Sequence, residues 1–140
     1  MNVNIDQART IIASAFAHGH EAGFNALAVA VLDSGGHVVA FEKEDGTANG
    51  RFDIARGKAH GAISFGTNSR FIEKIGEQRP SFVAGLVSVC GPLVPAAGGV
   101  IIVDGDGAPM GSVGISGDSS DNDEAAAIAG INAAGLTAKQ

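Results

Sequence analysis

Apolar residues at Ile5, Ala8, Ile12, Ala15 and Phe16 recur at intervals of three and four, which predicts an amphipathic helix over residues 5–20. Residues 27–32 and 37–42 then stand on either side of Ser34-Gly35-Gly36, a turn signal between two strand-forming runs, so they read as a β-hairpin. A second helix is expected from Arg51 or Asp53 to Phe65, followed by a short helical piece over 69–76. Pro80 starts one further helical turn through Leu86. Residues 87–94 combine a β-like Val87-Ser88-Val89-Cys90 with a break at Gly91-Pro92, and read as a strand and turn lining a pocket. Residues 100–103 and 110–115 flank Asp104-Gly105-Asp106-Gly107 and form a second hairpin. Ser119 or Ser120 caps a final helix whose first turn carries Asp121, Asp123 and Glu124, where the helix dipole favours negative charge. Strands paired in hairpins, without repeated βαβ units, give an α+β architecture: a single, largely antiparallel sheet with helices packed on it. No internal repeat or linker interrupts the pattern, so residues 1–140 read as one domain.

Composition narrows the functional classes. The chain has 140 residues, enough to bury roughly two-thirds of its unfolded surface without a disulfide or metal staple. Fifteen acidic residues against nine Lys and Arg give a net charge of −6, which disfavours a phosphate backbone as partner, and Trp and Tyr are absent as stacking platforms. Nucleic-acid binding is excluded on that basis. Cys90 is the sole cysteine and cannot pair within the chain, which suits a reducing compartment; it reads as a small buried core residue and not as a nucleophile. Asn2, Asn4, Asp6 and Gln7 interrupt any secretory signal, and no run reaches the roughly 18 apolar residues of a membrane span, so a soluble cytoplasmic protein without a membrane partner is expected. Gly57 and Gly61, beside Ala55, Ala59 and Ala62, leave the second helix nearly bare, which invites close approach of another backbone or of a flat ligand. The glycine-rich hairpin carries neither a Walker A sequence nor a Rossmann fingerprint, and Asp118, Asp121, Asp123 and Glu124 would repel an anion there. No EF-hand spacing is present, so these acids read as helix-capping and solubilising groups; the pair Asp123 and Glu124 can alternatively accept a proton or bind a cation from a neighbouring subunit.

Three motifs occur in order: the strand–turn–strand Val29-Ala30-Val31-Leu32-Asp33-Ser34-Gly35-Gly36-His37-Val38-Val39, the helix Asp53-Ile54-Ala55 with Lys58-Ala59, and the glycine-rich hairpin leading to Asp123-Glu124. Together they resemble the GlcG/HbpS family, haem-binding or haem-degrading domains of the type at the C-terminus of PduO, over about residues 5–136. Two departures lie near the ligand pocket that the resemblance implies. Lys43 stands near Asp45-Gly46 where the family commonly has Arg, and Ala97-Gly98-Gly99-Val100-Ile101 lacks the second proline of the family's loop. The resemblance implies a small-molecule ligand, haem b, that is bound and in some members degraded, and a homo-oligomer with an even number of subunits.

Four histidines, His18, His20, His37 and His60, offer iron ligands; the attachment sequence for covalent haem is absent. His18 and His20 stand at the end of the first helix, where the dipole alone accounts for them, and His37 reads as a solvated edge residue. His60 is the expected metal ligand, on the small-residue helix that also carries Arg51, Arg56 and Lys58. Arg51 and Lys58, seven residues apart, share a face and are expected to bind the acidic groups of the ligand beside the Gly98-Gly99 loop; His60, two residues from Lys58, faces about 160° away. An alternative without haem has Arg51, Asp53 and Lys58 binding a small carboxylated or carbonyl compound, as an enzyme or accessory protein of a catabolic operon.

Overall fold

A computed structural model describes residues 1–140. Helix α1 (Ile5–Ala22) is followed by β1 (Ala28–Asp33), β2 (Val38–Lys43), α2 (Arg51–Phe65), α3 (Ser69–Gln78), α4 (Pro80–Cys90), β3 (Gly99–Val103), β4 (Pro109–Ser116), α5 (Ser120–Ala133) and the two-residue β5 (Thr137–Ala138). The strands form one sheet in the order β2-β1-β4-β3-β5, and every neighbouring pair is antiparallel. Both predicted hairpins form, and the architecture is α+β as the alternation implied. The sheet is completed by the long-range pairing of β1 with β4, from Ala28↔Ser116 to Asp33↔Gly111, and by β5, which the sequence pattern did not single out.

Alternation along β4 explains how the layers assemble. Met110, Val113 and Ile115 join Val29, Val31, Val100 and Ile102 in a core with Ile11 and Ile12 of α1 and Ile131 of α5. The intervening positions Ser112, Gly114 and Ser116 are small and face α2. A Cβ on Gly114 would lie 1.9 Å from the Ala55 carbonyl oxygen, so the helix backbone rests on the strand, and Ser112 Oγ donates to the Ala59 carbonyl at 2.9 Å. The sheet is thus covered on one side by α1 and α5 and on the other by α2.

Helix α1 begins in a capping box, with Asn4 and Gln7 exchanging side-chain-to-backbone hydrogen bonds, and α5 is capped by Ser119. One element differs in kind from expectation. Residues 87–90, read as a strand, continue α4 from its N1 proline to Cys90. Val83, Leu86 and Cys90, at helical spacing, pack into a small cluster with Ile72 and Leu93, and this tertiary burial overrides the β-propensity of the valines. The helix stops at Gly91, whose φ of 75° is open to glycine at little cost. Cys90 is consequently half-buried at a helix end, not enclosed in the main core.

Candidate functional site

Helix α2 carries most of the expected site residues, and the structure assigns them separate tasks. Lys58 is 3% exposed and its Nζ donates to Asp123 Oδ2 at 3.0 Å and to the Ile115 carbonyl at 2.9 Å. Asp123, 1% exposed, also accepts from the Asp118 backbone N–H. Burial pushes the Asp123 carboxyl above the usual carboxylate range, while the Asp118 N–H and the Lys58 charge pull the other way. Gly98 and Gly99 make room for this arrangement: a Cβ on Gly98 would lie 2.9 Å from Lys58 Nζ, and one on Gly99 would lie 2.2 Å from the Lys58 carbonyl oxygen. Lys58, Gly98 and Gly99 therefore do come together, around an internal ion pair linking α2 to α5. The other acid of the pair, Glu124, accepts from Arg70 Nε at 3.0 Å, so neither carboxylate is left for a neighbouring subunit's cation.

Arg51 reaches the same end of β4 as Lys58, as the shared face required, but donates from Nη1 to Ser116 Oγ at 3.0 Å. It is half-buried and has no carboxylate within ion-pairing distance. Asp53 is exposed on the first turn of the helix. The bare surface around Gly57 and Gly61 is filled by the chain itself: a Cβ on Gly57 would lie 2.6 Å from Val94 Cγ2, and one on Gly61 would lie 2.9 Å from Leu93 Cγ. Close packing of the 93–94 segment accounts for those glycines, and no open wall remains there for a flat ligand.

The histidines separate clearly. His60 is half-buried; Nδ1 lies 2.9 Å from the Pro92 carbonyl, which only accepts, so Nδ1 bears the proton and Nε2 the lone pair. The absence of side chains at Gly36 and Gly91 makes room for the ring: a Cβ on Gly36 would lie 3.2 Å from Nε2 and one on Gly91 would lie 3.1 Å from Cε1. His37 is exposed and stands 3.5 Å from Asp33 in the β1–β2 turn. Backbone N–H groups of His37 and Gly35 hold the Asp33 carboxyl below its ordinary value. His20 binds Glu44 through Nε2, and Glu44 in turn accepts from the Leu27 N–H at the start of β1. His18 is half-buried, with its ring edge-on to Phe24 at 5.6 Å and no polar partner on either nitrogen.

Two open cavities flank this last turn of α1. One, ≈ 560 Å³, is lined by His20, Phe24, Ala26, Lys43, Glu44 and Asp45; the other, ≈ 300 Å³, by His18, Glu21 and Ala22. Phe24 lines the first and touches the histidine of the second. Lys43, which stands at the place of the expected arginine, has no carboxylate partner. His18 and His20 were legible in the sequence only as dipole-compensating groups, because the other residues of the larger cavity come from the segment after α1 (Phe24, Ala26) and from the end of β2 and just beyond it (Lys43, Glu44, Asp45).

An antiparallel five-stranded sheet covered by helices on both faces, with a histidine-bearing helix end opening into cavities, defines an α+β protein of a known structural class. The chain belongs to the HbpS-like family, described as haem degrading protein HbpS-like, whose model matches residues 3–132. A crystal structure of a PduOC:heme complex has the same fold, with a TM-score of 0.87 at 21% identity over 100% of both chains. Klebsiella pneumoniae protein ORFY superposes with a TM-score of 0.84 at 20% identity, over 95% of this chain and 90% of that one. A crystal structure of HbpS gives 0.82 at 26% identity, over 94% of this chain and 89% of that one. No curated protein matches the chain.

Proposed function

We propose that this protein binds haem b at the end of α1, with His18 as the iron ligand and Lys43 as an anchor for a propionate. Membership of the HbpS-like family and the fold shared with a PduOC:heme complex support haem as the ligand class. The observation that carries the site is that His18 is the histidine whose ring nitrogens are both free of polar partners beside a cavity. His60 has Nδ1 on the Pro92 carbonyl and its ring packed between Gly36 and Gly91, and His20 is held by Glu44. An imidazole ligand, an apolar ring and an unpaired cation are the three groups that non-covalent haem needs from a protein; His18 lines one of the two cavities around the last turn of α1, Lys43 lines the other, and Phe24 lines the second while touching the His18 ring. Bound haem supplies redox chemistry at iron; the chain supplies the ligand, the apolar contact and the charge.

Titration with haemin tests the reading. A saturable one-to-one Soret change is expected, lost or shifted in His18→Ala, retained in His60→Ala, and weakened several-fold in Lys43→Ala. A spectrum unchanged by His18→Ala and abolished by His60→Ala would move the iron to α2. One further observation supports a second, haem-independent reading: half-buried Arg51 faces a hydroxyl and no carboxylate. A small carboxylate bound there with Asp53 nearby would raise the melting temperature with ligand concentration, and Arg51→Ala would remove that rise. Lys58, fully engaged with Asp123, supports the site from inside the fold and has no donor surface to offer a ligand.

A further inference from the structure

A cavity of ≈ 440 Å³ lies between α3 and α4, on residues other than those around His18. Its walls are apolar: Pro80, Val83, Ala84 and Val87 come from α4, and Leu93 and Pro95 from the segment beyond it. Val83 and Leu93 are buried in the small cluster with Ile72 and Leu86, so the apolar floor is fixed by the packing of the two helices. Volume and lining are those of a small-molecule site.

The polar groups of this cavity are all of one kind. Glu73 and Glu77 line it from successive turns of α3, and neither forms an ion pair. Like charges four residues apart on a helix repel. Gly76, beside Glu77, lines the cavity too, and its carbonyl lacks the usual helical partner. The donor would be the N–H of residue 80, which is proline and has none, while the Arg79 N–H goes to the Ile75 carbonyl. The last turn of α3 carries no basic residue to meet the negative end of the helix dipole. Two cations stand on the same helix pair but outside the cavity: Lys74 lies over the Phe71 ring at 5.4 Å and Arg79 over the Phe82 ring at 4.3 Å. None of the lining side chains is a hydrogen-bond donor, so the apolar slot ends in two carboxylates and a carbonyl that only accept.

We infer that this cavity binds a small apolar primary amine as its ammonium ion. The hydrocarbon body lies on Val83, Ala84, Val87 and Leu93, and the ammonium is held by Glu73, Glu77 and the Gly76 carbonyl. An ammonium brings three donors and no acceptor, the complement of this set, and its hydrogen bonds to carboxylates are of the stronger, charge-assisted kind. Its charge relieves the repulsion between Glu73 and Glu77, whereas a carboxylate or phosphate ligand adds to it. The site is separate from the haem reading: it uses none of the residues around His18, and its charge disfavours propionates.

Titration of the whole chain, without haem, with n-octylammonium tests the inference by calorimetry and by amide chemical shifts. Saturable one-to-one binding is expected, with the shifts centred on residues 73–87 and 93–95. Octanoate and octanol, with the same hydrocarbon chain, bind at least ten-fold more weakly. Glu73→Gln with Glu77→Gln keeps the side-chain size and weakens octylammonium at least ten-fold. Ala84→Trp, which adds bulk at an exposed position lining the cavity, abolishes binding, and both variants keep the wild-type circular dichroism spectrum. Absence of saturation in the wild type overturns the inference, as does equal affinity for octanoate or octanol, shifts centred elsewhere, or an affinity unchanged in either variant.

Discussion

At the scale of the residue, the Lys58–Asp123 pair is the most consequential single contact. Replacing Lys58 by Ala leaves a carboxylate buried without its counter-charge, and the expected loss is about 3–5 kcal/mol, on the order of 10 °C in melting temperature. Lys58→Met combined with Asp123→Leu removes both charges and recovers most of that loss, which calorimetry on the four proteins of the cycle measures. Titration of surface carboxylates acts in the opposite direction to burial. Asp33, Asp104 and Asp118 each accept backbone N–H groups, the strongest from His37, Ala108 and Asn25 respectively, and their folded-state values lie below the ordinary one. Each contributes stability that is present above the unfolded carboxylate pKa and is lost as pH falls through the folded value. Urea midpoints should therefore decline below about pH 4, and the decline should be shallower in Asp104→Asn. The sequence placed Lys58 on the same face as Arg51 but not its partner. Asp123 stands in the first turn of α5, where a dipole explanation suffices, and nothing local marks it as internal.

At the scale of the element, the seating of α2 on β4 depends on backbone meeting backbone. Gly114→Ala drives a methyl against the Ala55 carbonyl and should cost about 1–3 kcal/mol or more, whereas Gly105→Ala, with nothing within 4 Å, should stay within about 0.5 kcal/mol; thermal melts of the two variants compare them directly. The small residues at 55, 59 and 62 of α2 made a close backbone approach readable in advance, but not that β4 supplies it. The first turn of α4 was readable from Pro80, but its continuation over 87–90 was not, because Val87 and Val89 favour a strand locally, and only the burial of Val83, Leu86 and Cys90 against α3 extends the helical period. The two-residue β5 is likewise beyond periodicity. It is held by tertiary bonds: Asn68 Nδ2 donates to the Lys139 carbonyl and Lys139 Nζ to the Gly66 carbonyl, each at 2.8 Å. Removing residues 137–140 strips buried Asn68 of one partner and should cost about 2 kcal/mol, read from denaturant midpoints. For the larger cavity at the end of α1, the helix position of His20 was legible but its neighbours Lys43, Glu44 and Asp45 were not, because only the folded hairpin brings that segment to the helix end.

At the scale of the whole molecule, the cavities at the end of α1 and the groove between α3 and α4 are lined by different residues. His18→Ala should accordingly change the Soret titration and leave the helical circular dichroism signal unaltered. The pairing of β1 with β4 also has a consequence in time. Strand β1 is fully apolar from Ala28 to Leu32, and one of its two edges stays bare until the ribosome has added α2, α3, α4 and β3 and delivered β4. At about 5–20 residues per second, that interval is on the order of ten seconds. Nascent chains of this protein must therefore carry a sticky, half-paired strand for longer than most of their later folding takes, and they are the form on which a chaperone would act.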